Sequence, residues 1–352
     1  MYIVIAIIAF GLLIAVHELG HFTAAKLLGV KVNEFAIGMG PKILKKQGKE
    51  TLYTLRALPF GGFCAMDEDV ASDDPRAFTA QKRWRRVIIL AAGGIGNLIA
   101  ALIIVIILVS GMEGFVSTTI KELVDGFPNE GEQGLMAGDT IISINGERLY
   151  YIDNYFYSIM QLANSNQVDL VIKRDDRTIK LDKFPLERRE YMIDGEVSFR
   201  YGITFNGLEP SLGENLKYAC NMTLNFVRLI RLSIAQLVSG AAGVKDLAGP
   251  VAIVGAMNDI GRMADSVGSA LADIANFTAF IGVNIALVNL LPIPAMDGGR
   301  ILFVFLTWAI EKITRRRLDP KYEGYIHTAA LVLLMGLMVF ILVNDVLRIV
   351  NG

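Results

Sequence analysis

His17, Glu18 and His21 stand in the run Val16-His17-Glu18-Leu19-Gly20-His21, an HExxH pattern. Residues four apart leave the same face of a helix, so both imidazoles can reach one metal ion. The glutamate beside the first histidine can reach a water held by that ion. The chemistry this spacing predicts is zinc-assisted hydrolysis, with the metal lowering the pKa of its water and Glu18 taking the proton. Two features set the run apart from a chance pattern or a packed histidine pair. The chain has three histidines, and two of them are here. They also lie inside an apolar run, MYIVIAIIAFGLLIAV before and FTAAKLLGV after. Ionisable groups in such a segment are costly and usually mark a function.

Two nitrogens leave a catalytic ion short of one protein donor, with a further position kept open for water. Asp297 is the natural candidate. It ends the stretch Asn289-Leu290-Leu291-Pro292-Ile293-Pro294-Ala295-Met296-Asp297, followed by Gly298-Gly299, and is the only carboxylate between Asp273 and Glu311. Two prolines and two glycines do not fit an unbroken helix. Irregular backbone at membrane depth is tolerated where it lines a cavity. The competing reading of Asp297 is a capping aspartate at the break. Asn97, in another apolar segment, needs a partner and either faces the metal site or bonds a neighbouring helix. The third histidine, His327, follows a charged loop and reads as an interface residue.

These residues need membrane elements to hold them. The chain is 53% hydrophobic with a mean hydropathy of +0.47, too apolar for an ordinary soluble domain. A net charge of −1 gives no reason to expect a nucleic-acid partner. We expect a polytopic α-helical membrane protein of four spans: 2–28, 87–112, 276–310 with its break, and 326–348. The first lacks the charged start and the cleavage site of a signal peptide, so it is expected to remain as a helix. At about 1.5 Å per residue the histidines lie roughly 25 Å from its N-terminal end, inside a core of about 30 Å.

Between the first two spans, Thr51–Phe63 is rich in β-formers around a Pro-Phe-Gly-Gly break and reads as a hairpin or a membrane re-entrant loop. It is either an ordinary surface hairpin or an edge strand that pairs with an unwound substrate. Lys82-Arg83-Trp84-Arg85-Arg86 then anchors the second span at headgroup level. In that span, Ala91-Ala92-Gly93-Gly94-Ile95-Gly96 is smooth enough for close helix packing.

Residues 115–206 change to a soluble, β-rich character, with strands expected at Thr140–Ile144 and Val168–Lys173 and a helix at Tyr155–Leu162. The run Gly134-Leu135-Met136-Ala137-Gly138-Asp139-Thr140-Ile141-Ile142-Ser143-Ile144-Asn145-Gly146 resembles a PDZ domain, which would bind a peptide terminus or act as a bulky filter. Residues 207–275 follow as an amphipathic interfacial helix and connector. The domain scheme is thus 1–112, 115–206, 207–275 and 276–352. The basic loops 29–86 and 311–325 belong in the cytoplasm by the positive-inside rule. Both termini and the PDZ-like domain are then extracytoplasmic, with the metal site toward the cytoplasmic face. Cys64 and Cys220 fall on opposite sides and are not expected to pair.

HELGH on a first membrane helix, a PDZ-like insert and NLLPIPAMDGG on a later helix together resemble the site-2 protease family, in its bacterial RseP/RasP type of intramembrane zinc metalloprotease. The similarity extends to AIGMGPKI, LPFGGF, LAGPVAI and VNDVLRI. It implies zinc held by His17, His21 and Asp297, with Glu18 as base. It implies substrate contacts from Asn289 and from the Leu58-Pro59-Phe60-Gly61-Gly62 loop as a membrane re-entrant β element. Asn97 falls in the family's Gly-Pro-x-x-Asn motif, where this chain has Gly94 for Pro. The resemblance also implies a bacterial cytoplasmic membrane location and single-span substrates, an anti-sigma factor or a signal-peptide remnant, cut beforehand by another protease. The alternative is a metal-bearing membrane scaffold or receptor that acts through its PDZ-like domain. A solute transporter with a metal at a broken helix is a third reading, for which the helices offer few further charges.

Overall fold

The computed structural model describes residues 1–66, 74–162, 166–193, 196–243, 249–315 and 321–351. The chain divides into two compact units, Met1–Leu108 with Phe226–Gly352, and Val109–Asn225.

In the first unit, helix α1 covers Tyr2–Leu27 and carries the HExxH run. Strands β1 (Val32–Gln47) and β2 (Leu52–Met66) follow. They pair antiparallel from Gln47–Leu52 to Lys42–Arg56, and the end of β2 returns to β1 from Ile37–Gly62 to Val32–Met66. Phe35 to Ile37 therefore have a β2 partner on both sides: Phe35 has Tyr53 and Cys64, and Ile37 has Leu55 and Gly62. The expected β segment thus runs on to Met66, and its partner is the preceding stretch of the basic loop 29–86. Its alternation is broken by Gly38, Gly40 and Pro41, so the period-two signal fails there.

Helix α2 covers Arg83–Val109, α6 Val267–Leu290, α7 Asp297–Thr314 and α8 Lys321–Asn351. Among the described residues, four helices are long and apolar enough to cross a membrane: Tyr2–Leu27, Arg83–Val109, Val267–Leu290 and Gly324–Asp345. The third begins at Val267 rather than the expected residue 276. Ser266 caps it, accepting from the Ser269 N–H, and Ser269 answers from its side chain, which fixes the start upstream. The prolines end it at Leu290, and α7 is a separate helix.

The spans leave large apolar side chains uncovered: Ile8 and Leu12 on α1, Ile103 and Ile107 on α2, Val332 and Leu333 on α8. Continuous apolar exposure of this kind suits lipid rather than water. Among the contacts between buried faces are two apolar clusters. Ala25, Val30, Val32, Phe78, Ile89 and Leu90 pack where α1, β1 and α2 converge. Ala6, Met257 and Ile274 join α1 to α6 and to α5 (Pro250–Met263).

The second unit is a sheet in the order β10-β3-β4-β6-β7, with β5 (Glu147–Arg148) paired to β4. Its strands are β3 (Phe115–Leu123), β4 (Thr140–Ile144), β6 (Gln167–Arg174), β7 (Arg177–Pro185) and β10 (Ile203–Leu208). Helix α3 (Asn154–Leu162) sets Phe156 in the core, and β6 buries Val168, Leu170 and Ile172 by strict alternation. Asp175 and Asp176, both at positive φ, close the tight turn between β6 and β7. A hairpin of β8 (Arg189–Ile193) and β9 (Glu196–Arg200) precedes β10. Helix α4 (Leu212–Ser239) packs its first half here, with Tyr218 stacked on Phe115 at 4.4 Å and Glu214 accepting from Tyr151.

Candidate metal centre

His17 and His21 sit one turn apart on α1, both buried, with ring centroids 4.8 Å apart and nearly perpendicular. Asp297 is the first residue of α7. Its carboxylate turns toward the histidines, Oδ2 lying 3.1 Å from His17 Nε2 and 3.2 Å from His21 Nε2. The two Nε2 atoms are 3.2 Å apart. Among the described residues, His17, His21 and Asp297 form the group of possible metal donors whose ligand atoms all lie within 4.8 Å of one another.

The tight break before α7 makes this reach possible. Ala295 takes a positive φ of 76°, and a Cβ on Gly298 or Gly299 would overlap the carbonyls of Leu290, Leu291 or Ile293. Only glycine fits such an approach, which explains the Asp-Gly-Gly sequence.

The donor set fits a cation. His21 Nδ1 lies 2.8 Å from the Ile89 carbonyl, a partner that can only accept, so this nitrogen carries the proton. Nε2 is then a bare lone pair facing a carboxylate oxygen and a second imidazole nitrogen. Three such groups repel one another unless a positive charge lies among them. Bonds of about 2.0–2.1 Å place neighbouring tetrahedral ligand atoms about 3.3 Å apart, close to the 3.1–3.2 Å separations here. A second histidine nitrogen held by a backbone carbonyl is also the usual support for a zinc ligand. His17 Nδ1 is buried without such a partner.

A cavity of about 270 Å³ opens beside the cluster, lined by Ile14, His17, Glu18, Asn289, Met296 and Asp297 among others. Glu18 and Asn289 are therefore in the same space as the ligand cluster, and Asn289 Nδ2 lies 3.5 Å from His17 Nε2. Gly62 of β2 reaches the site as well: a Cβ there would stand 3.2 Å from Glu18 Cγ. Leu58 is half exposed opposite Met39, and Gly61 has a φ of +82°. The side chains of Pro59, Phe60 and His327 lie outside the described residues. Asn97 is fully buried in α2, does not line the cavity, and its amide has no hydrogen-bond partner among the described residues.

Two contributors, both on α2, are not visible in the sequence. A Cβ on Gly93 would overlap His21 Nε2 and come within 2.8 Å of His17 Cε1. Helix α2 therefore presses bare backbone against the ligands, and Ile89, a turn earlier, supplies the carbonyl that fixes His21. The small-residue run signalled close packing, but not what it packs against.

A buried cluster of two histidines and an aspartate, with a glutamate beside it on an apolar helix, defines a membrane-embedded, metal-dependent hydrolase. The chain belongs to peptidase family M50, whose model matches residues 5–337. It is 38% identical to a Clostridium acetobutylicum protein that carries the name of a zinc metalloprotease, over 99% of this chain and 98% of that one. A Clostridium perfringens protein named in the same way is 37% identical over 99% of both. The regulator of sigma-W protease RasP of Bacillus subtilis is 26% identical over 97% of each chain. The protein is a zinc metalloprotease of the site-2 type, its cofactor is Zn²⁺, and its four apolar helices place it in a membrane.

Proposed function

We propose that this protein hydrolyses peptide bonds within the membrane segments of single-span proteins. The observation that carries this is the cluster of His17, His21 and Asp297 beside a cavity that His17, Glu18 and Asp297 line, with both histidines and Glu18 on a helix apolar enough to cross a membrane. His17, His21 and Asp297 would hold the ion. When bound, Zn²⁺ supplies Lewis acidity toward a water and a peptide carbonyl. Glu18 takes the water proton and returns it to the leaving amine. Asn289, beside His17, would hold the substrate backbone. Gly93 keeps the ligand face free of side chains.

A helical substrate hides its carbonyls in hydrogen bonds and must unwind before it can be cut. The end of β2 runs past Glu18, which supports the reading of Leu58–Gly62 and the residues after it as an edge to which an unwound segment adds as a strand. Exposed Ile43, Leu44, Leu55 and Leu58 beside Lys42, Lys45 and Lys46 support a re-entrant element that dips into the bilayer. Substrates of the anti-sigma type are suggested by the RasP relative, whose name states regulation of sigma-W. Signal-peptide remnants fit the same site. We read 115–206 as a PDZ-like filter on the extracytoplasmic side that admits only substrates already trimmed. We read 207–275 as interfacial, and the cell location as the bacterial cytoplasmic membrane with both termini outside.

The test is a reconstituted cleavage assay with a model single-span substrate, intact or lacking its external domain, and mass spectrometry of the products. New termini inside the hydrophobic segment of the trimmed substrate are expected. Cuts confined to flanking loops would contradict the reading.

A further inference from the structure

Phe78 stands in the turn that leads into α2, and its side chain is fully buried. The turn is tied down through its backbone. The Ala77 N–H donates to the Asp74 carbonyl, the Gln81 N–H to the Phe78 carbonyl, and the Lys31 N–H to the Arg76 carbonyl. The Gln81 side-chain amide adds bonds to the carbonyls of Pro75 and Ala77. Phe78 is thus held in the apolar cluster of Ala25, Val30, Val32, Ile89 and Leu90, against which Ile301 of α7 also packs. Two guanidinium groups approach its ring. The Cζ of Arg86, on α2, lies 5.2 Å from the ring centroid, and the Cζ of Arg300, on α7, lies 5.5 Å from it. An aromatic ring attracts a cation within about 6 Å of its centroid, and does so more strongly where water is excluded.

Both arginines sit about one helical turn from a part of the metal site. Arg86 is three residues before Ile89, whose carbonyl holds His21 Nδ1, and Arg300 is three residues after Asp297. Residues three apart share a face of a helix. An ion pair of Arg83 with Glu311 joins the start of α2 to the last turn of α7 as well. These two helices are far apart in the chain, and each brings one part of the site. Their spacing decides whether Asp297 meets the His21 nitrogen that the Ile89 carbonyl aims. We propose that Phe78 is a positioning residue for the metal centre, its ring holding the guanidinium groups of Arg86 and Arg300 so that the support of His21 and the carboxylate of Asp297 keep their spacing. Phe78 acts through α2 and α7. This rests on the reading of His17, His21 and Asp297 as the zinc ligands.

Trifluorophenylalanine at position 78 of the full-length protein tests this, because ring fluorines keep the outline of the side chain and drain the negative charge from its faces. Zinc affinity is read by competition with a metal-binding dye, beside the melting temperature of the zinc-free protein. The fluorinated ring is expected to weaken zinc binding roughly ten-fold, the weight of a partly desolvated cation–π contact. Phe78→Leu should weaken it at least as much, and the fluorine effect should shrink in Arg300→Met. Val32→Ala, which trims the same cluster on β1, should lower the melting temperature and leave zinc affinity unchanged. Zinc affinity unchanged by fluorination overturns the proposal even if Phe78→Leu loses zinc, since that loss is then one of packing. A fluorine effect undiminished in Arg300→Met overturns it too, as does an equal loss of zinc in Val32→Ala. Asp297→Ala separates the proposal from the reading beneath it. Zinc affinity retained there overturns the ligand assignment and the proposal together, whereas zinc lost there and kept on fluorination overturns the proposal alone.

Discussion

Asp139 is a buried carboxylate and Asp297 a partly buried one, one in each unit, and they are satisfied in opposite ways. Asp139 accepts two bonds of 2.7 Å from Arg174 and a third from the Met136 N–H. It brings its own cation, and Arg174 goes on to tie down the carbonyls of Glu132 and Gly134. Asp297 faces two imidazole nitrogens, one of them a committed lone pair. A structural carboxylate in a protein interior is closed by a permanent counter-charge. A functional one is left open to a charge that arrives from outside. Glu34, held by Thr54, Arg56 and Lys42, belongs with Asp139.

The largest effect expected from this contrast is at the base. Glu18→Gln should keep zinc and lower cleavage by at least about 10²–10⁴-fold, the usual weight of general acid–base catalysis. Next come the two aspartates. Asp297→Ala should weaken zinc binding by more than the roughly 10–100-fold that loss of an outer partner costs a ligand. Asp139→Ala should leave zinc per chain unchanged and destabilise the Val109–Asn225 unit by about 3–5 kcal/mol, because Arg174 is stranded. Metal analysis and thermal unfolding of both variants would expose an error if their effects were exchanged.

Gly93→Ala should also lose zinc, since the methyl overlaps His21 Nε2, whereas Gly96→Ala meets the Val16 carbonyl at 3.2 Å and needs only a small shift. Zinc retained in Gly93→Ala would contradict the packing. The smallest effect is at Glu34. Burial raises its carboxyl, but bonds from Thr54, Arg56 and Lys42 outweigh this and hold it at about 2 against an ordinary 4.5. Its contribution to stability is therefore full above pH 4.5 and is lost as pH falls toward 2. The gap in melting temperature between wild type and Glu34→Gln should close over that window, and a gap that persists at its acid end would reject the assignment.

The sequence made plain whatever depends on neighbours in the chain. The HELGH spacing, the spans and the break before Asp297 follow from helical period, hydropathy and proline chemistry. Asp297 was legible because a single carboxylate stood in a long apolar stretch. Strand β1 was not, because its glycines erase the alternation and its partner lies across a turn. Gly93 and the Ile89 carbonyl were hidden for another reason. A glycine in an apolar helix looks the same whether it packs on a leucine or on a metal ligand, and a backbone carbonyl has no sequence signature. The start of α6 was misplaced because Ser266 and Ser269 cap each other in a segment that reads as small and featureless.

The most direct test of the central claim is to purify wild type and Glu18→Gln in parallel, count zinc per chain, and offer both a single-span substrate lacking its external domain. The account predicts about one zinc in each and cleavage by wild type alone. Cleavage surviving in Glu18→Gln, or zinc absent from the wild type while it still cuts, would contradict it.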